Sequence, residues 1–208
     1  MSPRLQLILV VAALSLFVGL GVSSLGLDSA TFDEGKHLPV GYAFLKLGDY
    51  RFDPDNPPLG RMLAATPLLF MDVRVDRNDR TYRQAQVWGF AHRFLYEWND
   101  ADRLVMWGRV PMVALGALLA GLVFLWARAL AGVTVAAAAL FLCVLSPDVL
   151  AHSRLATTDL PITFFFFATV AAFERLTVKV TWPRTLLTGL CLGCALASKY
   201  SEIGRAHV

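Results

Sequence analysis

Cysteine and charged side chains are both scarce in this 208-residue chain. There are three cysteines, Cys143, Cys191 and Cys194, and all of them lie in apolar segments. A disulfide framework of the kind that stabilises small secreted proteins is therefore not expected. Cys191 and Cys194 have the spacing of a redox or metal-binding pair, but within an apolar helix we interpret them as two small residues on one helix face.

Charged residues make up 17% of the chain, whereas soluble domains contain about a quarter. The net charge of +3 is small, and because the basic residues are scattered, the sequence has no footprint for binding nucleic acid. Hydrophobic residues make up 56% of the chain, and they occur in blocks without a charge that alternate with charged stretches. This pattern is typical of membrane spans and the loops between them.

The apolar blocks predict an all-α, multi-pass membrane protein. The predicted spans lie at about 5–27, 110–127, 131–147, 160–174 and 185–198. The first block contains no charge. As an α-helix with a rise of about 1.5 Å per residue, it is long enough to cross a bilayer, and it is too long for the core of a signal peptide. The basic residues between spans fall on the same side each time, so the positive-inside rule places the N-terminus in the cytoplasm and residues 28–109 outside.

The long extracytoplasmic loop at 28–109 is predicted to contain two helices. Residues 59–71 are apolar but too short to span, and they follow Pro57 and Pro58, so we expect a helix lying in the membrane interface. A second, polar helix is predicted at 81–102. Aromatic residues that suit the membrane–water boundary follow its start: Trp88, Phe90, Phe94, Tyr96, Trp98 and Trp107.

The end of the chain is unusual. Residues 203–208 read Ile-Gly-Arg-Ala-His-Val, which is similar to a translated sequencing adapter. We therefore expect residues 202–208 to be a non-native tail and residues 1–201 to be the N-terminal part of a longer catalytic domain. The alternative is a genuine short tail, and in either case no role is assigned to Arg205 or His207.

Two adjacent carboxylates, Asp33 and Glu34, follow the first span and precede His37. In a helix both acids would share a face with His37, because they stand four and three residues before it. Such a set could provide a general base with an orienting partner, or half of a metal site. The alternative is a solvated loop in which the acids cap the start of a helix.

Two arginines stand where the loop meets the membrane. Pro57 and Pro58 fix the direction of the chain before Arg61, and Arg109 lies beside Pro111 at the mouth of the second span. Either guanidinium could bind a phosphate, because its planar donors match phosphate oxygens. The alternatives are that Arg61 only extends to the membrane surface and that Arg109 only anchors the span.

A third group of ionisable residues precedes the fourth span. Asp159 follows Thr158 and could cap the helix that begins there. It is also placed to face Asp33 across the extracytoplasmic surface, with His152 and Arg154 nearby in the sequence. Ionisable groups at a membrane boundary are functional candidates by default.

In their order and spacing, these motifs resemble the polyprenyl-phosphate-sugar-dependent membrane glycosyltransferases of the GT-C fold. That superfamily includes the dolichyl-phosphate-mannose protein O-mannosyltransferases and the lipid A aminoarabinose transferases of bacteria. The matching segments are Asp33-Glu34 with His37, Asn56-Pro57-Pro58-Leu59, Arg109 with Pro111, Thr158-Asp159, and Ala197-Ser198-Lys199-Tyr200. Asn56 stands where the family often has histidine or another polar residue, and Arg61 stands where it often has lysine, which leaves the subfamily and the sugar open.

The resemblance implies a hexosyltransferase that moves a sugar, with inversion, from a polyprenyl-phosphate donor to a hydroxyl of a protein, lipid or glycan. Asp33 would take the hydroxyl proton. The residues implied to bind the donor phosphate are Arg61, Arg109 and Lys199. The residues implied to orient the acceptor, or to hold a divalent metal ion as cofactor, are Glu34, His37 and Asp159. Residues 1–201 alone would be inactive, because late spans complete the donor groove in such enzymes.

Two other classes of membrane protein are weighed against the transferase. A transporter or channel would need charged or broken helices at mid-membrane and an internal repeat, whereas the interiors of these spans carry no charge and no repeat is seen. A scaffold without an active site would tolerate changes at Asp33 and Asp159. The partners implied by the transferase are the lipid-linked donor, the acceptor and the bilayer of the cell (inner) membrane, without nucleic acid.

Overall fold

A computed structural model describes residues 2–54 and 56–200 of the chain, and within these ranges the protein consists of helices and connecting turns without a strand. The helices are α1 Pro3–Val22, α2 Phe32–Tyr42, α3 Leu59–Ala65, α4 Arg80–Arg83, α5 Val87–His92, α6 Ala101–Val144, α7 Pro147–His152, α8 Asp159–Val178 and α9 Trp182–Ser198. The all-α fold class is confirmed. The tail predicted at 202–208 lies outside the described residues.

Three of the described helices, α1, α6 and α8, are long and apolar enough to cross a membrane. Their large apolar side chains are widely exposed, as at Leu7 and Ile8 in α1. Such surfaces suit lipid rather than water. Helix α9 corresponds to the fifth predicted span, and its 17 residues fall just short of the roughly 20 that a helix needs to cross. The positions of the five spans stay predictions.

Helix α6 is two helices joined at Gly132. The backbone of Gly132 has φ 83° and ψ 179°, a conformation that glycine adopts without steric cost. Ala120 and Leu140 belong to one buried cluster with Phe17 of α1. In a straight helix these two residues would lie about 30 Å apart, so the chain turns back at Gly132.

The segment between α1 and α6 folds into a buried core. Residues 59–70 are helical, as the sequence predicts, and a 3₁₀ turn, Thr66–Phe70, follows α3. The single helix predicted at 81–102 is wrong. Its path breaks after α4, where Ala85 has φ 50°, and again between 98 and 100.

The aromatic residues of this segment divide between core and surface. Phe90 and Phe94 are fully buried, and the ring of Phe90 stacks on Phe52 with centroids 4.4 Å apart. The boundary role predicted for these two phenylalanines is therefore wrong, because the breaks around α5 turn them inward. The rings at Trp88, Tyr96 and Trp107 remain exposed.

Helices α2 and α3 cross closely at Gly41. A Cβ atom at Gly41 would lie 2.2 Å from the carbonyl oxygen of Arg61. On the other side of α3, a Cβ at Gly60 would lie 3.1 Å from the side chain of Thr158, which precedes α8. The two glycines therefore let α2, α3 and the start of α8 approach each other, and this contact fixes the position of Arg61.

We expect Gly41→Ala to lower the free energy of unfolding by about 1–3 kcal/mol, because the added methyl group meets backbone that must move away. Gly35→Ala in the same helix is the matched control, since nothing lies within 4 Å of a Cβ there. That variant should be neutral or more stable by up to about 1 kcal/mol. The measurement is thermal unfolding of both purified variants in detergent, and equal shifts would contradict the close crossing.

Candidate functional site

A polar cavity of about 210 Å³ lies where α2, the segment before α3, the start of α8 and the end of α9 meet. Its lining residues are Asp33, Lys36, His37, Asn56, Pro57, Arg61, Thr158, Asp159, Ser198, Lys199 and Tyr200. The structure therefore brings together five of the residues that the sequence singles out: Asp33, His37, Arg61, Asp159 and Lys199. Glu34 and Arg109 do not line the cavity.

The start of α2 sends its two adjacent carboxylates in different directions. Glu34 turns inward, where its Oε2 accepts hydrogen bonds from the backbone nitrogen and the hydroxyl of Thr31, both at 3.0 Å. Asp33 is exposed and lines the cavity. It has no hydrogen bond or ion pair within the part of the chain that the structure describes. Of these two adjacent carboxylates, Asp33 is thus the one that a molecule in the cavity can reach.

Arg109 is buried and forms a two-bond ion pair with Glu34. Its Nε and Nη2 donate to Oε1 and Oε2 of Glu34, each at 2.8 Å. The remaining donors bind the carbonyl oxygens of Leu25, Asp28 and Ser29 at 2.7–3.0 Å. All five N–H groups of the guanidinium are thereby used. This geometry gives Arg109 a structural role and leaves no donor for the phosphate that the sequence analysis assigns to it.

The carboxylate of Glu34 likewise makes all its hydrogen bonds within the protein interior. Besides Arg109 and Thr31, it binds the backbone nitrogen of Ala156 at 2.9 Å, which ties α2 to the loop before α8. Burial alone would raise the pKa of Glu34, but the hydrogen bonds from Arg109, Ala156 and Thr31 outweigh it and hold the pKa below its ordinary value. The carboxylate is therefore ionised and cannot orient an acceptor in the cavity.

Arg61 is also buried, but one of its donors has no partner. Its Nε donates to Nδ1 of His37 at 2.9 Å, and its Nη2 donates to Oδ2 of Asp53. Nη1 is buried and has no hydrogen-bond partner in the described residues. A buried guanidinium nitrogen without a partner is costly, and Arg61 lines the cavity. A ligand oxygen in the cavity could satisfy this donor.

His37 is neutral and acts as a hydrogen-bond acceptor toward Arg61. Burial, together with the positive charges of Arg61 and Lys36, lowers the pKa of His37 from 6.5 to about 3. Because Nδ1 accepts the hydrogen bond from Arg61, Nε2 carries the hydrogen of the neutral ring. His37 therefore holds Arg61 in place and is not a general base near neutral pH.

The low pKa of His37 predicts a pH-dependent stability. Between pH 6.5 and about 3, the unfolded chain binds a proton at His37 and the folded chain does not. The free energy of unfolding should therefore fall as the pH falls through this range, by up to about 1.4 kcal/mol per pH unit. His37→Gln, whose amide oxygen can accept from Arg61, should reduce this slope.

The measurement is the unfolding midpoint of the wild type and of His37→Gln in detergent between pH 4 and 7. His92→Gln is the control, because the side chain of His92 is 66% exposed. Parallel slopes for the wild type and His37→Gln would contradict the neutral state of His37.

Two residues that the sequence analysis did not select, Asp53 and Lys36, complete this side of the cavity. Asp53 accepts from Arg61 and lies 3.1 Å from Nζ of Lys36. Asp53 stands three residues before Asn56, and nothing in this spacing indicates that Asp53 turns inward. The available signal in the sequence for Asp53 was its position between Phe52 and the proline pair, Pro57 and Pro58.

Asp159 and Lys199 form an ion pair on the opposite side of the cavity, with Nζ and Oδ1 2.6 Å apart. Nδ1 of His152 lies 4.0 Å from the other carboxylate oxygen. The pair is partly exposed, and it joins the start of α8 to the residue that follows α9. Lys199 thus reaches the cavity, but its charge is already balanced by Asp159.

The cavity does not fit a metal ion in the described residues. No three histidine, cysteine, aspartate or glutamate side chains in this part of the chain come together in a group that could hold one. Lys36 and Arg61 also place positive charge at the cavity, which opposes a cation there. The divalent metal ion stays a prediction, and no chemical step is derived from it.

Comparison with known proteins assigns the chain to a family. Residues 47–203, which are more than half of the chain, match the family described as dolichyl-phosphate-mannose-protein mannosyltransferase. No curated protein and no solved structure matches the chain significantly. The matched range contains Arg61, Asp159 and Lys199, and the all-α membrane architecture fits the GT-C fold of such enzymes. The chain therefore belongs to the dolichyl-phosphate-mannose-protein mannosyltransferase family, a family of membrane glycosyltransferases.

Proposed function

We propose that this protein transfers a sugar from a polyprenyl-phosphate donor to an acceptor hydroxyl, with inversion at the anomeric carbon. One observation carries the proposal. The exposed carboxylate of Asp33 and the buried guanidinium of Arg61 line the same cavity, and Nη1 of Arg61 has no partner among the residues that the structure describes. The first can take a proton from an acceptor hydroxyl, and the second can bind the phosphate that leaves.

Arg61 is the group best placed to bind the donor phosphate. A sugar joined to a polyprenyl phosphate is a phosphodiester with one negative charge. When the sugar leaves, the phosphate becomes a monoester with a charge of about −1.5 to −2 at neutral pH. A fixed positive charge close to this oxygen stabilises the transition state more than the ground state. Lys36, also at the cavity, adds a second positive charge.

Asp33 would act as the general base. The acceptor oxygen attacks the anomeric carbon from the face opposite to the phosphate, and its proton passes to the Asp33 carboxylate. The bond between the anomeric carbon and the phosphate oxygen breaks in the same step, with its electron pair staying on the phosphate. Because the phosphate leaves as a stable anion, no general acid is required.

The other predicted site residues take supporting roles in this proposal. His37 holds Arg61 through the hydrogen bond from Nε. Asp159 and Lys199 close the far side of the cavity as a pair, where Lys199 can turn toward the phosphate and Asp159 toward the acceptor. Glu34 and Arg109 stabilise the fold beneath the site.

The family and the distribution of basic residues support a choice of donor, acceptor and location. The name of the family makes mannose the first sugar to test and a protein hydroxyl the first acceptor, with a lipid or glycan as alternatives. We place the cavity on the extracytoplasmic side of the cell (inner) membrane, with the N-terminus in the cytoplasm. The positive-inside rule supports this orientation.

Transfer of a labelled sugar tests the proposal. Membranes that carry the full reading frame are incubated with polyprenyl-phosphate-linked mannose, glucose or aminoarabinose, and label is followed into protein, lipid and glycan fractions. We expect transfer from one of these donors above the level of membranes without the protein. Absence of transfer from all three donors would contradict the proposed function.

A further inference from the structure

Asp53 lies behind the candidate site and contacts two of the cations that line it, Lys36 and Arg61. Its Oδ2 accepts from Nη2 of Arg61 and is 3.1 Å from Nζ of Lys36. Its Oδ1 accepts from the side-chain amide of Asn56 at 2.9 Å. Arg61, Lys36 and Asn56 all line the cavity, whereas Asp53 does not.

The backbone conformation at Asp53 explains how its carboxylate reaches Arg61 and Lys36. Asp53 has φ 53°, in the left-handed region where aspartate and asparagine are far commoner than other residues with a Cβ atom. This conformation turns the chain between Phe52, which is buried in the core, and the proline pair that begins α3. The carboxylate is thereby held beneath the cavity, with its side chain only 14% exposed.

The charges of this group do not cancel. One carboxylate, Asp53, faces two cations, Lys36 and Arg61, so the group carries one unbalanced positive charge. On the opposite side, Asp159 and Lys199 balance each other. The positive charge of this group lies beside Nη1 of Arg61, which has no partner among the described residues, and the unpaired carboxylate of Asp33 lines the same cavity. A phosphodiester, with its single negative charge, complements this group.

We propose that Asp53 is a positioning residue for the donor phosphate, which fixes Arg61 and Lys36 at the cavity and leaves Nη1 of Arg61 for the ligand. The inference rests on the proposed function and adds to it. Without Asp53, the guanidinium of Arg61 would lose its second fixed partner, and Lys36 would be free to leave the cavity. Only His37 would then hold Arg61, through one neutral hydrogen bond.

Binding of farnesyl phosphate, a short prenyl monophosphate, tests the inference independently of transfer. The titration uses the purified protein from the full reading frame in lipid nanodiscs. Asp53→Ala should raise the Kd about tenfold or more, because the two cations lose their common partner. Asp53→Asn should stay within about threefold of the wild type, since its amide oxygen still accepts from Arg61.

Asp49→Ala is the matched control. Asp49 lies in the same segment and also forms an ion pair, with Arg51 at 2.7 Å, but neither residue lines the cavity. This variant should bind farnesyl phosphate with the Kd of the wild type. A purely structural role of Asp53 would lower the unfolding midpoint of Asp53→Ala and leave the Kd of the folded protein unchanged, and that result would overturn the inference.

The transfer assay separates this inference from the proposed function. If the wild type transfers sugar and Asp53→Ala keeps the donor KM and the farnesyl phosphate Kd, the inference alone fails. If the wild type transfers no sugar but Asp53→Ala loses binding, the proposed function fails and the positioning role stands. Failure of the wild type to bind farnesyl phosphate would overturn the inference, because the cavity would not be a phosphate site.

Discussion

Replacing Asp33 by asparagine is expected to lower the rate of sugar transfer about 10²- to 10⁴-fold, the usual contribution of a general base. Asparagine keeps the size and polarity of the side chain but cannot accept the proton of the attacking hydroxyl. Asp33 is exposed and has no hydrogen bond or ion pair in the part of the chain that is described. The substitution should therefore leave folding and the donor KM close to those of the wild type.

The measurement is the initial rate of transfer at saturating donor, in membranes that contain equal amounts of wild-type and variant protein. Asp72→Asn is the control, because Asp72 is an exposed carboxylate that does not line the cavity. Equal rates for the wild type and Asp33→Asn would remove Asp33 from the role of base while leaving the enzyme class intact. A raised donor KM at an unchanged rate constant would instead assign Asp33 to binding.

The sequence predicts which residues reach the site better than it predicts what each of them does. Asp33, Arg61 and Lys199 were selected from separate segments because their motifs match a known order, and the structure places all three at one cavity. The roles of Glu34 and Arg109 depend on tertiary packing. The capping box between Thr31 and Glu34 distinguishes the two acids in the sequence, but the burial of Glu34 also depends on Arg109, which is distant in the sequence.

Two other features of the fold escaped prediction for related reasons. The aromatic residues between α4 and α6 suit either a core or a membrane surface, and only the helix breaks before α5 and at 98–100 bury Phe90 and Phe94. Asp53 was missed because its importance comes from Arg61 and Lys36, which are distant in the sequence. Contacts of this kind are fixed by the close crossing of α2 and α3 at Gly41.

Breaking the ion pair between Glu34 and Arg109 is expected to lower the free energy of unfolding by about 3–5 kcal/mol. Glu34→Gln leaves a buried guanidinium without its counterion, and Arg109→Met leaves a buried carboxylate without one. Both side chains are almost fully buried, so water cannot replace the lost partner. The pair also joins α2, α6 and the loops at 25–29 and 156, so its loss removes contacts between several elements of the fold.

Thermal unfolding in detergent, combined with a double-mutant cycle, measures this effect. The double variant Glu34→Gln/Arg109→Met should be less destabilised than the sum of the single variants, by about 0.5–3 kcal/mol, because it leaves no unpaired charge. Glu97→Gln is the control, since Glu97 pairs with Arg93 on the surface, where both side chains are more than 40% exposed. Loss of such an exposed pair costs about 1 kcal/mol or less.

The same variants decide between the two roles considered for Arg109. A structural role predicts that Arg109→Lys lowers the unfolding midpoint, because one ammonium group cannot reproduce the hydrogen bonds to Glu34 and to three carbonyl oxygens. The protein that remains folded should then bind the donor with the wild-type KM. A direct contact with the donor phosphate would produce the opposite result, a raised donor KM with little change in stability. The buried position and fully used donors of Arg109 favour the first outcome.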